Sequence, residues 1–276
     1  MEPFIPPGFN LPLLWTLDLS FPILAKLIQN LEEIEISKED RNYLRTLRNY
    51  RLIYASNHPT TTEPIVAYYV ANVMGSRFNY MASRQVFDWG NGLVGKLIQN
   101  VGAFSVLPGT SDREAIKTAR KILSSPSGKL VLFPEGEPTS GENDHLMPFQ
   151  PGIAQLAFWS YEDIIKTEPE EDLYILPAFV KYIIKGTDAQ IKGELHQSLQ
   201  RIEKKLGIDP KNKNLLRRFL TIGRILLEEA ERIYNIKPEK EKGWDYRIGR
   251  VRHQILDNIA NKFHIKGYNN KFSCYR

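Results

Sequence analysis

Between residues 50 and 182, short apolar runs alternate with longer segments of helical period, and this alternation constrains the fold more than any other feature of the chain. The runs 51–56 (RLIYAS), 78–82, 103–107 and 129–133 (KLVLF) are bounded by turn residues and rich in Val, Ile, Leu, Phe and Tyr, as buried strands are. Between them, 64–74, 92–99, 112–123 and 153–159 carry helical patterns, with Ile116, Ala119, Ile122 and Leu123 forming an apolar stripe on the third. β structure resumes at 173–182, where Pro177 implies a bulge or an edge position because proline has no N–H to give a ladder. Strands separated by helices pair in parallel through crossovers, so the expected class is α/β, a mostly parallel central sheet flanked by helices.

This core, residues 46–186, is flanked by two helical regions, 1–45 and 187–276. Residues 11–28 (LPLLWTLDLSFPILAKLI) are strongly apolar but interrupted by Asp18, Lys26 and two prolines. A membrane-spanning helix needs about 20 mostly apolar residues. The stretch therefore suits one or two short N-terminal helices, either lying at a membrane interface with Trp15 and Phe21 or packed on the core. With no basic leader ahead of it, the expected location is cytoplasmic, peripheral to a membrane (monotopic). After Gly186 the strand signal stops, and 194–206, 215–234 and 246–263 read as a C-terminal helical appendage.

Charge is divided unevenly. Residues 186–276 carry a net of +9 and the first 185 a net of −4. A basic region suits an anionic membrane surface or an acidic protein partner as well as a solvated helix face. No nucleic-acid motif accompanies it, so nucleic acid is not an expected partner. The one cysteine, Cys274, excludes an intrachain disulfide framework, and no His or Cys cluster has metal-ligand spacing. The run 90–95 matches G-x-G-x-x-G, but no clean strand precedes it, so it does not predict a dinucleotide site.

Directly after the first apolar run stands Asn57-His58-Pro59-Thr60-Thr61-Thr62-Glu63-Pro64. On a continuous helix, side chains five positions apart would point about 140° apart. Pro59 and Pro64 bias the residues before them away from helix, and the threonines favour extended or capping conformations. His58 and Glu63 can thus meet across one strand-to-helix loop. A carboxylate on one ring nitrogen would fix the tautomer and leave the other as a general base. A helix-capping loop with an incidental histidine is the alternative. The second informative element, Phe133-Pro134-Glu135-Gly136, ends the fourth apolar run, at the sheet edge where open α/β folds place ligands. Singly it also reads as a tight turn.

Together and in this order, the two blocks resemble those of the glycerolipid acyltransferase family, which includes 1-acyl-glycerol-3-phosphate acyltransferases. Gly102–Val106 with Asp112-Arg113, Phe149–Gly152 and Leu176-Pro177-Ala178 resemble further blocks of that family over roughly residues 50–185. The resemblance implies transfer of a fatty acyl group from an acyl-CoA or acyl carrier protein thioester, as co-substrate, to a hydroxyl of a lysolipid, with no bound cofactor or metal. It implies His58 and Glu63 as the catalytic pair and Asn57, Glu135 and Gly136 as substrate-binding residues, Glu135 holding the acceptor head group. Arg84 and Arg113 are the candidates for a phosphate.

Three departures bear on the acceptor. Glu63 stands where the family usually has Asp, Pro108 where many members have Arg, and Glu137-Pro138 where Thr-Arg is usual. Two cations are therefore missing, which leaves open a non-phosphate lipid alcohol as acceptor, or a membrane-surface lipid-binding protein without turnover.

Overall fold

The computed structural model describes residues 4–138 and 146–265 and divides the chain into two compact units, Met1–Tyr182 and Ile183–Arg276. Among the described residues the first unit holds one sheet of five strands, β1 (Arg51–Ser56), β2 (Asn79–Ser83), β3 (Ala103–Val106), β4 (Lys129–Leu132) and β5 (Leu173–Ala178). Its helices are α1 (Leu11–Gln29), α2 (Lys38–Thr46), α3 (Glu63–Met74), α4 (Leu93–Asn100), α5 (Arg113–Ser124) and α6 (Gly152–Thr167).

All five strands run parallel, in the order β3-β2-β4-β1-β5. Strand β1 is thus flanked by strands that come much later in sequence: Leu52 is in register with Lys129 on one side and Tyr174 on the other. Side chains alternate across a strand, and β1 uses both faces. Leu52 and Tyr54 enter a core with Ala67, Val70 and Met74 of α3, whereas Ile53 enters the opposite core with Ala115, Ala119 and Leu123 of α5. Among the described residues strand β5 pairs only with β1, so Pro177 lies on an edge, as its missing N–H requires. Parallel strands release all their following loops at one edge. The order therefore makes neighbours of the loops after β4, β1 and β5.

The apolar N-terminal stretch forms a single helix of 19 residues, where one or two short ones were expected. Proline inside a helix removes one backbone bond, a loss that local packing offsets here. Leu14 and Ala25 are buried, and the Phe21 ring stacks on both Tyr68 and Tyr69. Asp18 accepts hydrogen bonds from Tyr68 (2.6 Å), Asn72 (2.9 Å) and Arg77 (2.5 and 3.1 Å). By length and composition α1 could cross a membrane, and little of it is buried. Leu11, Trp15, Leu19, Ile23 and Leu27, every fourth residue, are all exposed.

Gly95, the last glycine of the G-x-G-x-x-G run, has a structural use. A Cβ there would lie 2.1 Å from the Phe87 carbonyl oxygen. Alanine improves helix propensity by about 1 kcal/mol, but a clash with backbone cannot be relieved by a rotamer change and costs about 3 kcal/mol. Gly95→Ala is therefore expected to destabilise the first unit by about 2 kcal/mol, measurable as a lower denaturant midpoint with an unchanged slope.

The second unit consists of α7 (Asp188–Leu206), α8 (Leu215–Ile233) and α9 (Trp244–Lys262). Two of its arginines are structural: Arg218 makes a two-pronged pair with Glu203, and Arg247 with Glu231, all four side chains being buried. Leu227, Ile236 and Val251 form its apolar centre.

Candidate active site

The loop between β1 and α3 is not helical, and it brings the imidazole of His58 and the carboxylate of Glu63 together. His58 Nδ1 is 2.6 Å from Glu63 Oε2. Pro64 does not exclude Glu63 from α3, as the sequence implied. Glu63 is the first helical residue and Pro64 the second, where a missing N–H costs nothing because first-turn amides have no partner in the helix. Glu63 is almost wholly buried while part of the His58 ring reaches the surface. That ring also stacks on Phe133, with centroids 4.2 Å apart and planes 22° apart.

Burial by itself would raise the carboxyl pKa of Glu63. Hydrogen bonds from His58, Tyr182 and Thr60 outweigh it and hold the group below its ordinary value. Its Oε1 accepts from Tyr182 Oη at 2.5 Å and from Thr60 Oγ1 at 2.8 Å, while the Thr60 N–H lies 3.2 Å from both oxygens. With an ionised Glu63 as acceptor, a neutral His58 ring places its proton on Nδ1 and its lone pair on Nε2.

Glu135 serves the same loop from β4. Its Oε1 accepts the His58 backbone N–H at 2.7 Å, and its Oε2 accepts the Met147 N–H at 2.9 Å. The buried carboxylate thus fixes the main chain of His58, a use that has no signature in the sequence. Gly136 turns the chain at φ +81°, a conformation that favours glycine, and its N–H donates to the Phe133 carbonyl at 3.0 Å. Asn57 is buried; its amide donates to the Val180 carbonyl at 2.8 Å and accepts the Val180 N–H at 2.6 Å, joining the ends of β1 and β5.

The structure brings Asn57, His58, Glu63, Glu135 and Gly136 together in this way. Arg84 and Arg113 stand along the same carboxyl edge, after β2 and β3. Arg84 is engaged with Asp88 at 2.8 Å, and Arg113 is exposed at the first position of α5. Sequence reasoning missed Tyr182 and Thr60 as partners of Glu63. Thr60, inside the loop, carried a readable signal in its hydroxyl; Tyr182 carried none. His145 and Cys274 lie outside the described residues. The spaces of about 470 Å³ between α1 and α3 and about 340 Å³ between α6 and β5 are lined by none of Asn57, His58, Glu63, Glu135 and Gly136.

Compared with known protein families, residues 29–181 match the family described as Acyltransferase, which is more than half of the chain. The chain belongs to the acyltransferase family. The matched span takes in the whole sheet and every residue of the site except Tyr182. No curated protein and no solved structure matches this acyltransferase.

Proposed function

We propose that this acyltransferase moves a fatty acyl group from an acyl thioester, acyl-CoA or acyl carrier protein, to the hydroxyl of a glycerolipid such as 1-acyl-glycerol-3-phosphate. The observation that carries the proposal is the His58 Nδ1–Glu63 Oε2 contact of 2.6 Å, at the carboxyl edge of the parallel sheet. His58 Nε2 takes the acceptor's hydroxyl proton as its oxygen attacks the thioester carbonyl carbon. A C–O bond forms, the C–S bond breaks, and Nε2 returns the proton to the leaving thiolate. Glu63 orients the ring and stabilises the imidazolium between these steps, as the carboxylate of a Ser-His-Asp triad does. The substrate's own hydroxyl takes the place of an enzyme serine, so no acyl-enzyme forms.

Membrane contact through α1 supports delivery of such an acceptor. The bonds that tie Asp18, midway along α1, to Tyr68, Asn72 and Arg77 hold the helix against the first unit with its apolar residues outward. A helix held in this way lies on a lipid surface and does not cross it. A second acceptor class, a lipid alcohol without phosphate, is favoured by Pro108, by Glu137-Pro138 and by the commitment of Arg84 to Asp88.

Thiol release from acyl-CoA and from acyl carrier protein, measured against lysophosphatidate, lysophospholipids and neutral lipid alcohols, tests both readings. Release that depends on a lipid hydroxyl is expected, with lysophosphatidate fastest. A neutral alcohol as the best acceptor moves the assignment to the second class. Equal release with and without any acceptor rejects acyl transfer.

A further inference from the structure

We propose that Tyr182 is a positioning residue of this site: its hydroxyl holds the Glu63 carboxylate in the place from which it orients His58. The inference rests on the acyl-transfer reading above and adds to it a residue outside both sequence blocks. A glutamate side chain has freely turning terminal torsions, so a contact on one carboxylate oxygen alone does not fix the other. Oε2 is given to His58, and Oε1 takes Tyr182 and Thr60. Thr60 belongs to the loop it would have to steady. Tyr182 reaches in from the segment after β5 and supplies an outside reference.

That segment is itself pinned two residues earlier, where the Asn57 amide grips both the N–H and the carbonyl of Val180. Asn57 is the neighbour of His58. The contacts therefore close a ring: His58 to Glu63, Glu63 to Tyr182, back through Val180 to Asn57, and so to His58. Burial, reinforced by the bond to Glu63, pushes the Tyr182 hydroxyl well above its ordinary pKa, so it remains a donor throughout the working pH range. A glutamate extends the carboxylate by one C–C bond, about 1.5 Å, beyond an aspartate. Tyr182 gives that longer side chain a fixed endpoint.

Besides Tyr182, the titratable groups facing the pair among the described residues are Glu135, bonded to the His58 N–H, and Tyr54 of β1, a neutral hydroxyl whose pKa burial and the Glu63 charge push up to about 12. The test is Tyr182→Phe, which removes one oxygen, in the full-length protein with isotope-labelled histidine. Without the hydroxyl the Glu63 carboxylate turns more freely and its contact with Nδ1 weakens, which disfavours the imidazolium. The His58 titration midpoint, read by NMR, is expected to fall by about 0.5–1 pH unit. In parallel, kcat at neutral pH falls about five- to twentyfold, KM stays within about twofold, and the acid limb of the kcat profile moves down with the titration.

A midpoint that stays in place or rises overturns the proposal, even when thermal stability drops, because Glu63 then keeps its contact with His58 without the tyrosine hydroxyl. A cycle with Glu63→Asp gives a second reading. The shorter carboxylate cannot reach Tyr182, so adding Tyr182→Phe to it is expected to change kcat less than about twofold; additive losses overturn the proposal. The NMR titration needs no substrate, so a protein that releases no thiol defeats the acyl-transfer reading while the midpoint still decides the role of Tyr182.

Discussion

Alanine at position 58 is expected to reduce kcat for acyl transfer by about 10²–10⁴-fold while leaving the protein folded. The magnitude follows from removing the only imidazole that the described residues place in the site, and with it the proposed proton shuttle. The preserved fold follows from how His58 is held. Its backbone N–H donates to Glu135, a bond that alanine keeps, and its ring is partly exposed, packing on Phe133. Glu63 loses one donor but retains Tyr182 and Thr60. Steady-state thiol release together with near-ultraviolet circular dichroism checks both halves. A folded His58→Ala protein with wild-type turnover ends the proposed mechanism.

Glu63→Gln is expected to have an effect of the same order, about 10²–10⁴-fold on kcat, for a different reason. The amide has one oxygen, and Tyr182 and Thr60 both donate to the position of Oε1. The oxygen goes to them, and the NH₂ group then faces His58 Nδ1. Two donors cannot share that contact, so the imidazole proton moves to Nε2 and the base is lost.

The same substitution removes a pH dependence of stability. Glu63 is held below its ordinary pKa of 4.5 in the folded protein. Its contribution is therefore complete above that value and is lost as pH falls through the lower folded value. Denaturant unfolding followed from pH 7 to pH 3 should show a shallower acid decline in the Gln variant than in the wild type. Equal declines would mean that Glu63 is not stabilised as an anion.

The strands were legible because each side of β1 is buried and its apolar run is unbroken. The pairing of His58 with Glu63 was legible because both lie in one loop whose prolines rule out a continuous helix. Pro64 misled in detail: its effect on the preceding residue is a bias, and the free amides of a first helical turn absorb it. Pro22 misled similarly, because the bonds of Asp18 and the stacking of Phe21 that keep α1 whole come from α3 and the turn after it, some 50 residues away.

Tyr182 was beyond reach of the sequence for the same cause. A tyrosine 119 residues from Glu63 has no local signature of contact with it, and only the placement of β5 beside β1 reveals it. Glu135 shows the complementary case, since its position was readable but the target of its carboxylate, a backbone amide, was not.

The placement of β1 between β4 and β5 also governs when the site can exist during synthesis. His58 and Glu63 leave the ribosome early, yet the glutamate that anchors the histidine's backbone follows 77 residues after His58, and the tyrosine that braces Glu63 comes last of all. A nascent chain shorter than about residue 182 lacks part of the constellation, whatever its local structure. Long-range parallel pairing is slow compared with helix formation. On the proposed mechanism the growing polypeptide therefore carries a dormant histidine until its edge strand docks, and competence for chemistry is a late event in the biogenesis of the molecule.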